Sequence, residues 1–384
     1  MKSTHKIYFK SSRILEDVRD NSVDLIVCSP PYPMIEIWDN QFSDMYPEIN
    51  MYLEKGLGVK AFKSMHSELD KTWEESYRVL KNGGIACINI GDATRKIGNS
   101  FQLYPNHSRI LNFCSNLGFS VLPEIIWHKQ SNKPNKFMGS GMLPSNAYIS
   151  HEHEYILILR KGPIRKFSED EKKLRNQSAY FWEERNTWFS DIWMDLKGVD
   201  QTLNKKTETR DRSAAFPFEL AYRLINMYSK QGDMILDPFL GTGTTTIAAL
   251  TSNRNSIGYE IEENLKSLIE QRILGMKKFC NDVIYRRLYD HLIFITNRIK
   301  NDKEIKYRSK NYGFKVITKQ EKEILFHFIK NIGKITDGLY EATYFKEYDL
   351  KKLIEELDSR FNINKSLFND EFKPEPDIVQ RKLF

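Results

Sequence analysis

Hydrophobic and polar positions along the chain fall into two alternating kinds of segment. Short, nearly continuous apolar runs stand at Val23-Asp24-Leu25-Ile26-Val27-Cys28, Ile85-Ala86-Cys87-Ile88-Asn89-Ile90, Val121 to Trp127, Glu154 to Arg160, Asp233 to Leu236 and Ser256-Ile257-Gly258-Tyr259. Runs of this length, bounded by turn residues, predict strands, fully buried ones at Val23 to Cys28 and Ile85 to Ile90. Between them lie stretches with apolar residues three or four apart. These predict helices over Ser12 to Val18, Ser64 to Leu80, Ser108 to Leu117, Leu220 to Tyr228 and from the glycine turn through Leu250. Lys6-Ile7-Tyr8-Phe9 predicts one more short strand. Strands alternating with helices across short turns predict an α/β fold with a doubly wound, mostly parallel sheet. Residues 33–62 mix aromatics and acids with weak periodicity and read as a loop or mobile lid.

Composition narrows the class. The 384 residues are 40% hydrophobic and 28% charged, an ordinary globular balance. No apolar run approaches the ~18 residues of a membrane helix, and MKSTHKIYFK lacks an apolar signal core. Four scattered cysteines (Cys28, Cys87, Cys114, Cys280) form no CxxC pair, which argues for a reducing cytoplasm and against a zinc or disulfide framework; no metal is expected. A net charge of +7 permits a nucleic-acid partner without demanding one.

Charge also divides the chain. Residues 163–211 are polar, with Trp182, Trp188 and Trp193 interspersed. From Arg286 to Lys322 eleven basic side chains face four acidic ones, with Tyr285, Tyr289, Phe294, Tyr307, Tyr312 and Phe314 interleaved; from Glu341 to Asp377 ten acids face six bases. The shift predicts a division into 1–275, with 163–211 as a variable insert, and a smaller, helix-rich region over 276–384. The basic-aromatic stretch reads equally as a DNA surface or a solvated helix face, and the tail at Pro374-Glu375-Pro376 as frayed.

Two segments carry chemistry. After the strand Asp233 to Leu236 comes Asp237-Pro238-Phe239-Leu240-Gly241-Thr242-Gly243-Thr244-Thr245 at a helix start. Glycines there let backbone N–H groups approach a ligand closely. The third glycine of a dinucleotide fingerprint is missing, as is the Gly-Lys-Ser/Thr of a P-loop. Glu260, at the end of the next strand, stands where a carboxylate can accept ribose hydroxyls. The pocket therefore suits a nucleoside with a non-phosphate extension. The plainer alternative is a glycine turn without a ligand. The second segment is Ser29-Pro30-Pro31-Tyr32 at a strand's carboxyl end. A rigid turn with a serine hydroxyl, a proline carbonyl and a flat ring can grip a planar heterocycle bearing an amine. Alone it could equally be a structural turn. Asp92 reads first as a turn residue and second as a pocket group. Trp127, His128 and Lys129 are candidates for the base pocket or a phosphate.

Together the segments resemble the amino-methylating DNA methyltransferases of the β permutation, in which the catalytic tetrapeptide precedes the S-adenosylmethionine loop. The likeness spans roughly residues 5 to 275, with Leu25 to Tyr32 matching the catalytic motif and Gly232 to Thr245 the cofactor motif. Arg78 to Gly84, Ile126 to Lys129 and Ala215 to Glu219 resemble intermediate blocks. One departure is Lys10-Ser11, where the family often has Gly-Asp. The resemblance implies a Rossmann-like methyltransferase sheet and S-adenosylmethionine as cofactor, held by Asp237, Phe239, Gly241, Thr242, Gly243, Thr244 and Glu260. It implies catalysis by Ser29, Pro30, Pro31 and Tyr32 on double-stranded DNA. Serine at the head of the tetrapeptide is commonest in cytosine-N4 enzymes, with adenine-N6 as the alternative. It further implies a restriction–modification setting, with a cognate endonuclease as possible partner. Competing classes are an RNA methyltransferase and a non-enzymatic DNA-binding protein on the same fold.

Overall fold

The hexapeptide Val23–Cys28 is buried along its whole length, and its neighbours explain why. In the computed structural model, which describes residues 1–129, 138–198, 216–346 and 349–368, Leu25 and Val27 pack into one hydrophobic core while Ile26 and Cys28 pack into another. A strand alternates its side chains between two faces. Both faces are therefore covered, and the pattern is the doubly wound one. The helices Gly58–Val79 and Asn106–Leu117 cover one side; Phe218–Tyr228 and Thr244–Thr251 cover the other.

Ten strands make one sheet. Numbered along the chain they are β1 (Lys2–Phe9), β2 (Val23–Cys28), β3 (Leu80–Ile90), β4 (Phe119–His128), β5 (His153–Lys161), β6 (Ile192–Trp193), β7 (Met234–Asp237), β8 (Asn255–Glu260), β9 (Ile329–Thr336) and β10 (Leu339–Tyr344). Their spatial order is β6-β4-β5-β3-β2-β7-β8-β1-β10-β9. The block β3-β2-β7-β8-β1 is parallel throughout; β5 runs antiparallel between β3 and β4, and β10 antiparallel to β1. From β2 the chain winds outward through β3, and from β7 outward through β8 in the opposite direction. The order thus reverses between β2 and β7, and the crevice beyond the carboxyl ends of such a pair is where ligands of open α/β sheets bind.

Three local expectations are corrected. Residues 12–18 are turns, not a helix. Their backbone is held from outside: the Leu15 N–H donates to Glu75 at 2.7 Å, and Arg78 donates to the carbonyls of Leu15 and Val18 at 2.9 and 3.1 Å. Residues 33–62 are not a loose lid. They fold into short helices at Asp39–Met45 and Glu48–Glu54, with Phe42 and Ile49 buried and Asp39 clamped by Arg95 at 2.6 and 2.8 Å. The next helix starts at Gly58 and runs to Val79, and β3 begins directly at Leu80, its pairing with β2 interrupted across residues 81–84, where Gly83 takes a φ of 80°. Within 163–211, Ser168 and Glu171 form a capping box that starts the helix Glu169–Gln177; residues 199–215, including Ala215, lie outside the described residues, as does the Pro374–Pro376 tail.

The region after 275 opens with the long helix Lys277–Lys300. It packs a separate core of Ile284, Tyr285, Leu288, Leu292, Tyr312, Phe314 and Phe328. It also returns β9 and β10 to the edge strand of the main sheet, so the two regions share one sheet.

Candidate active site

Register places the two motifs side by side. β2 and β7 pair in parallel with Leu25 opposite Ile235 and Ile26 opposite Leu236. Both strands therefore end at the same level, one running into Ser29-Pro30-Pro31-Tyr32 and the other into Asp237 and the glycine turn. Thr245, on the helix after that turn, reaches the Val27 carbonyl at 3.5 Å and the Asp237 carboxylate at 2.6 Å.

The glycine turn is held by carboxylates acting on backbone. Asp237 accepts from the Phe239 N–H at 3.0 Å, and Glu260 accepts from Gly241 at 2.7 Å and from Glu262 at 2.9 Å. Both acids are buried. Burial pushes Asp237 up to about 7, with Thr245 and the Phe239 N–H pulling the other way; burial likewise raises Glu260. Gly241 and Gly243 adopt φ of 55° and 85°, where β-branched residues are outliers. Their surroundings differ. A Cβ on Gly243 would touch Ile269 at 3.5 Å, whereas a Cβ on Gly241 would meet nothing within 4 Å. The space beside the turn is open at Gly241. The Glu260 carboxylate takes backbone N–H bonds from Gly241, Ile261 and Glu262, and a carboxylate has about four acceptor sites in all, so the residues present fit a nucleoside cofactor. Thr242 and Thr244 are buried, the Thr242 carbonyl is tied by Arg272 at 2.6 Å, and Phe239 meets Trp73 edge-on at 5.7 Å.

The tetrapeptide is held by side chains. Pro30 and Pro31 are buried, while Ser29 and Tyr32 are half-buried. The Tyr32 hydroxyl is the hub: it receives Ser29 Oγ at 3.1 Å and Asn89 Nδ2 at 2.9 Å, and donates to Glu154 Oε2 at 3.0 Å. Asn89 also donates to Glu154 at 2.7 Å, and Lys129 Nζ pairs with the other Glu154 oxygen at 2.7 Å. Burial, then the Glu154 charge, pushes the Tyr32 phenol well above its ordinary value. Its ring lies against the β3 end, where a Cβ on Gly91 would come within 3.0 Å of Cε2.

Other candidates settle into different roles. Asp92 accepts from the His107 N–H at 3.0 Å and from its ring at 2.8 Å, tying the start of the helix Asn106–Leu117. Trp127 is buried and donates to the Leu196 carbonyl at 3.0 Å, so it belongs to the core, while Lys129 joins the tetrapeptide through Glu154. His128 faces Glu152 at 3.6 Å. Trp188 and Trp193 are buried, and Trp182 stacks on Phe294. In the basic-aromatic stretch, Tyr285, Tyr312 and Phe314 are core residues and Arg287 is buried against Glu184. Lys10, at the departure from the family pattern, pairs with Glu16 and Asp17. Sequence reasoning missed Asn89 and Glu154. Their signal was a polar residue near the carboxyl end of one apolar strand run and an acid at the start of another, both at the ligand end of the sheet.

A family model described as DNA methylase matches residues 23–271, the span that holds both loops. The chain belongs to the N6/N4 DNA methylase family. The methylase is 55% identical over 365 residues to the Type II methyltransferase M.MthZI of Methanothermobacter thermautotrophicus, covering 94% of this chain and 100% of the relative. It is 52% identical to the Type II methyltransferase M.MjaI of Methanocaldococcus jannaschii over 287 residues, 72% of this chain and 93% of the relative. Among solved structures, the protein TTHA0409 of Thermus thermophilus in complex with S-adenosyl-L-methionine is 32% identical, with a TM-score of 0.54 over 70% of this chain and 92% of that one. The methylase is thus an S-adenosylmethionine-dependent DNA methyltransferase of the restriction–modification kind. No helix among the described residues is long and apolar enough to cross a membrane.

Proposed function

We propose that the methylase modifies the exocyclic N4 of cytosine in duplex DNA at a specific sequence, as the protective partner of a restriction endonuclease in the cytoplasm. The single observation that carries the reading is the serine, Ser29, at the head of the tetrapeptide, the residue commonest there in the cytosine-N4 enzymes that the chain resembles; it offers the amine a neutral hydroxyl where a carboxylate would offer a charge-assisted bond. In the proposed site the flipped base stacks on Tyr32, at roughly 1–3 kcal/mol per base–aromatic stack, offsetting some of the few kcal/mol that extrusion from the duplex costs. Ser29 Oγ and the Pro30 carbonyl accept the two amine hydrogens, drawing the nitrogen lone pair out of conjugation with the ring; Pro31 keeps the turn rigid. S-adenosylmethionine supplies an electrophilic methyl on a sulfonium centre. Glu260 would accept its ribose hydroxyls, and Asp237, Phe239, Gly241, Thr242, Gly243 and Thr244 would shape its cradle.

Direct transfer to nitrogen needs no protein nucleophile. Cys28, next to Ser29, is buried, and burial raises its thiol well above the ordinary value, which supports a route without a covalent intermediate. Residues 163–211, inserted within the catalytic domain of residues 1–275, and residues 276–384 are proposed to read the DNA sequence. The test is to methylate duplex DNA, digest it to nucleosides and identify the product by mass spectrometry. N4-methylcytosine is expected; N6-methyladenine alone would overturn the cytosine reading in favour of the adenine one.

A further inference from the structure

The polarity of the hydrogen bonds around Tyr32 has only one consistent assignment once Glu154 is ionised. A carboxylate carries no proton and can only accept. Lys129 Nζ, 2.7 Å from Glu154 Oε1, carries only donors and meets an acceptor there. The Tyr32 proton is then spent on Glu154 Oε2 at 3.0 Å. Asn89 must turn its amide nitrogen toward the same oxygen, at 2.7 Å, and its second hydrogen toward Tyr32 at 2.9 Å; the opposite flip would set its oxygen against the carboxylate. With its own proton committed, the Tyr32 oxygen takes the Ser29 proton at 3.1 Å. Ser29 is left with lone pairs and no free hydrogen. A hydroxyl that could otherwise donate or accept now does only one of the two.

Resting on the reading of the tetrapeptide as the amine-binding site, we propose that the Lys129–Glu154 pair sets the hydrogen-bond polarity of the tetrapeptide, making Ser29 an obligate acceptor toward the target amine. Glu154 is a positioning residue: it acts on the amine through Tyr32 and Ser29. Without its charge, Tyr32 is free to turn its proton onto Ser29, and the Ser29 proton then confronts the amine hydrogens it should receive. The argument holds for any exocyclic amine, so it does not depend on the choice between cytosine and adenine.

A double-mutant cycle in single-turnover methylation separates this role from general support of the fold. Wild type, Ser29→Ala, Glu154→Gln and the double variant are compared with saturating S-adenosylmethionine and an unmodified genomic duplex DNA that wild type methylates. Glu154→Gln should slow transfer about 30-fold in wild type and less than about 3-fold in Ser29→Ala, because its route runs through the Ser29 hydroxyl. KM for DNA should move less than about 3-fold, and cofactor affinity should stay unchanged, since neither is set by this polarity. Lys129→Met, which spares the buried network, should slow transfer in the same direction and be silent in Ser29→Ala; it serves if Glu154→Gln fails to fold. Losses that multiply in the double variants overturn the proposal. A wild-type protein that methylates neither cytosine nor adenine amines fails the functional reading instead, so the two failures are distinguishable.

Discussion

Two loops leave adjacent strands of one sheet at the same level, yet they are stiffened by opposite means. The tetrapeptide after β2 has two prolines and a converging set of side chains, Ser29, Asn89 and Glu154 all meeting at the Tyr32 hydroxyl. The turn after β7 has glycines, and buried carboxylates, Asp237 and Glu260, grip its backbone N–H groups. On the proposed function, the first loop presents specific atoms to a base, and so keeps its side chains and fixes their directions. The second lets a cofactor lie against the backbone, and so strips its side chains away and borrows rigidity from neighbouring strands. Damage should therefore fall on chemistry in the first loop and on cofactor affinity in the second.

Substitutions that break this division rank by size. Ser29→Ala should cost about 10²–10³-fold in single-turnover methylation, the range for removing one preorganised hydrogen-bond partner, while calorimetry finds S-adenosylmethionine affinity within about twofold of wild type. Gly241→Val should weaken S-adenosylmethionine binding about 100-fold, because the new side chain fills the cradle from a φ of 55° that a β-branched residue adopts only under strain. Gly243→Ala should do much less, since its Cβ meets Ile269 at an ordinary contact distance. A reversal of these two would misplace the cradle.

The buried Asp237 makes a pH-dependent prediction. Its folded value, about 7, lies above the ordinary 3.8, so the cofactor-free fold favours the protonated acid. That contribution is complete below about pH 4 and is lost as the pH rises through 7. Between pH 5 and pH 8 the stability of wild type relative to Asp237→Asn should fall by about 2–3 kcal/mol, read from urea midpoints; a difference independent of pH refutes the assignment. The smallest effect sharpens the contrast. Glu260→Ala leaves the N–H groups of Gly241 and Glu262 without their acceptor and should cost about tenfold in cofactor affinity and about 1–2 kcal/mol in stability, with transfer from bound cofactor nearly unchanged.

What the sequence displayed, and what it concealed, follows from the range of the forces involved. The strands around both motifs were legible because burial on two faces writes an apolar run that no other element needs. The hub at Tyr32 was not, because Glu154 lies 122 residues away in the chain and Asn89 lies 57 away; only the sheet order brings them together. Residues 12–18 carry a helical spacing, but buried Leu15 and Val18 are satisfied there by turns clamped from Glu75 and Arg78, a tertiary override of a local pattern. One hairpin was locally written and overlooked. Asp337-Gly338 between two alternating runs is a strong turn signal, and Gly338 does adopt φ of 67° between β9 and β10. The same hairpin bears on the C-terminal region: Tyr340 and Ala342 of β10 share a core with Ile247 and Leu250 behind the cofactor loop, so removing it would expose that core.

The position of β1 has a consequence in time. The first strand of the chain sits inside the sheet, parallel to β8 and antiparallel to β10. His5 bonds to Ser256, 251 residues downstream, and Ser3 to Tyr344, 341 residues downstream. At roughly 5–20 residues per second of synthesis, a nascent chain carries β1 wholly unpaired for about 13–50 s until β8 is made, and open along its other edge until about 17–70 s, when β10 follows. Throughout that interval the strand presents open N–H and C=O groups, the template on which chains pair wrongly. Its polar face, Lys2, Thr4 and Lys6, alternates with buried Ser3, His5 and Ile7. Two of its three inward residues are hydrophilic, so the waiting edge is far less sticky than an aliphatic strand, and the hydrogen bonds that repay their burial form only when Ser256 and Tyr344 arrive.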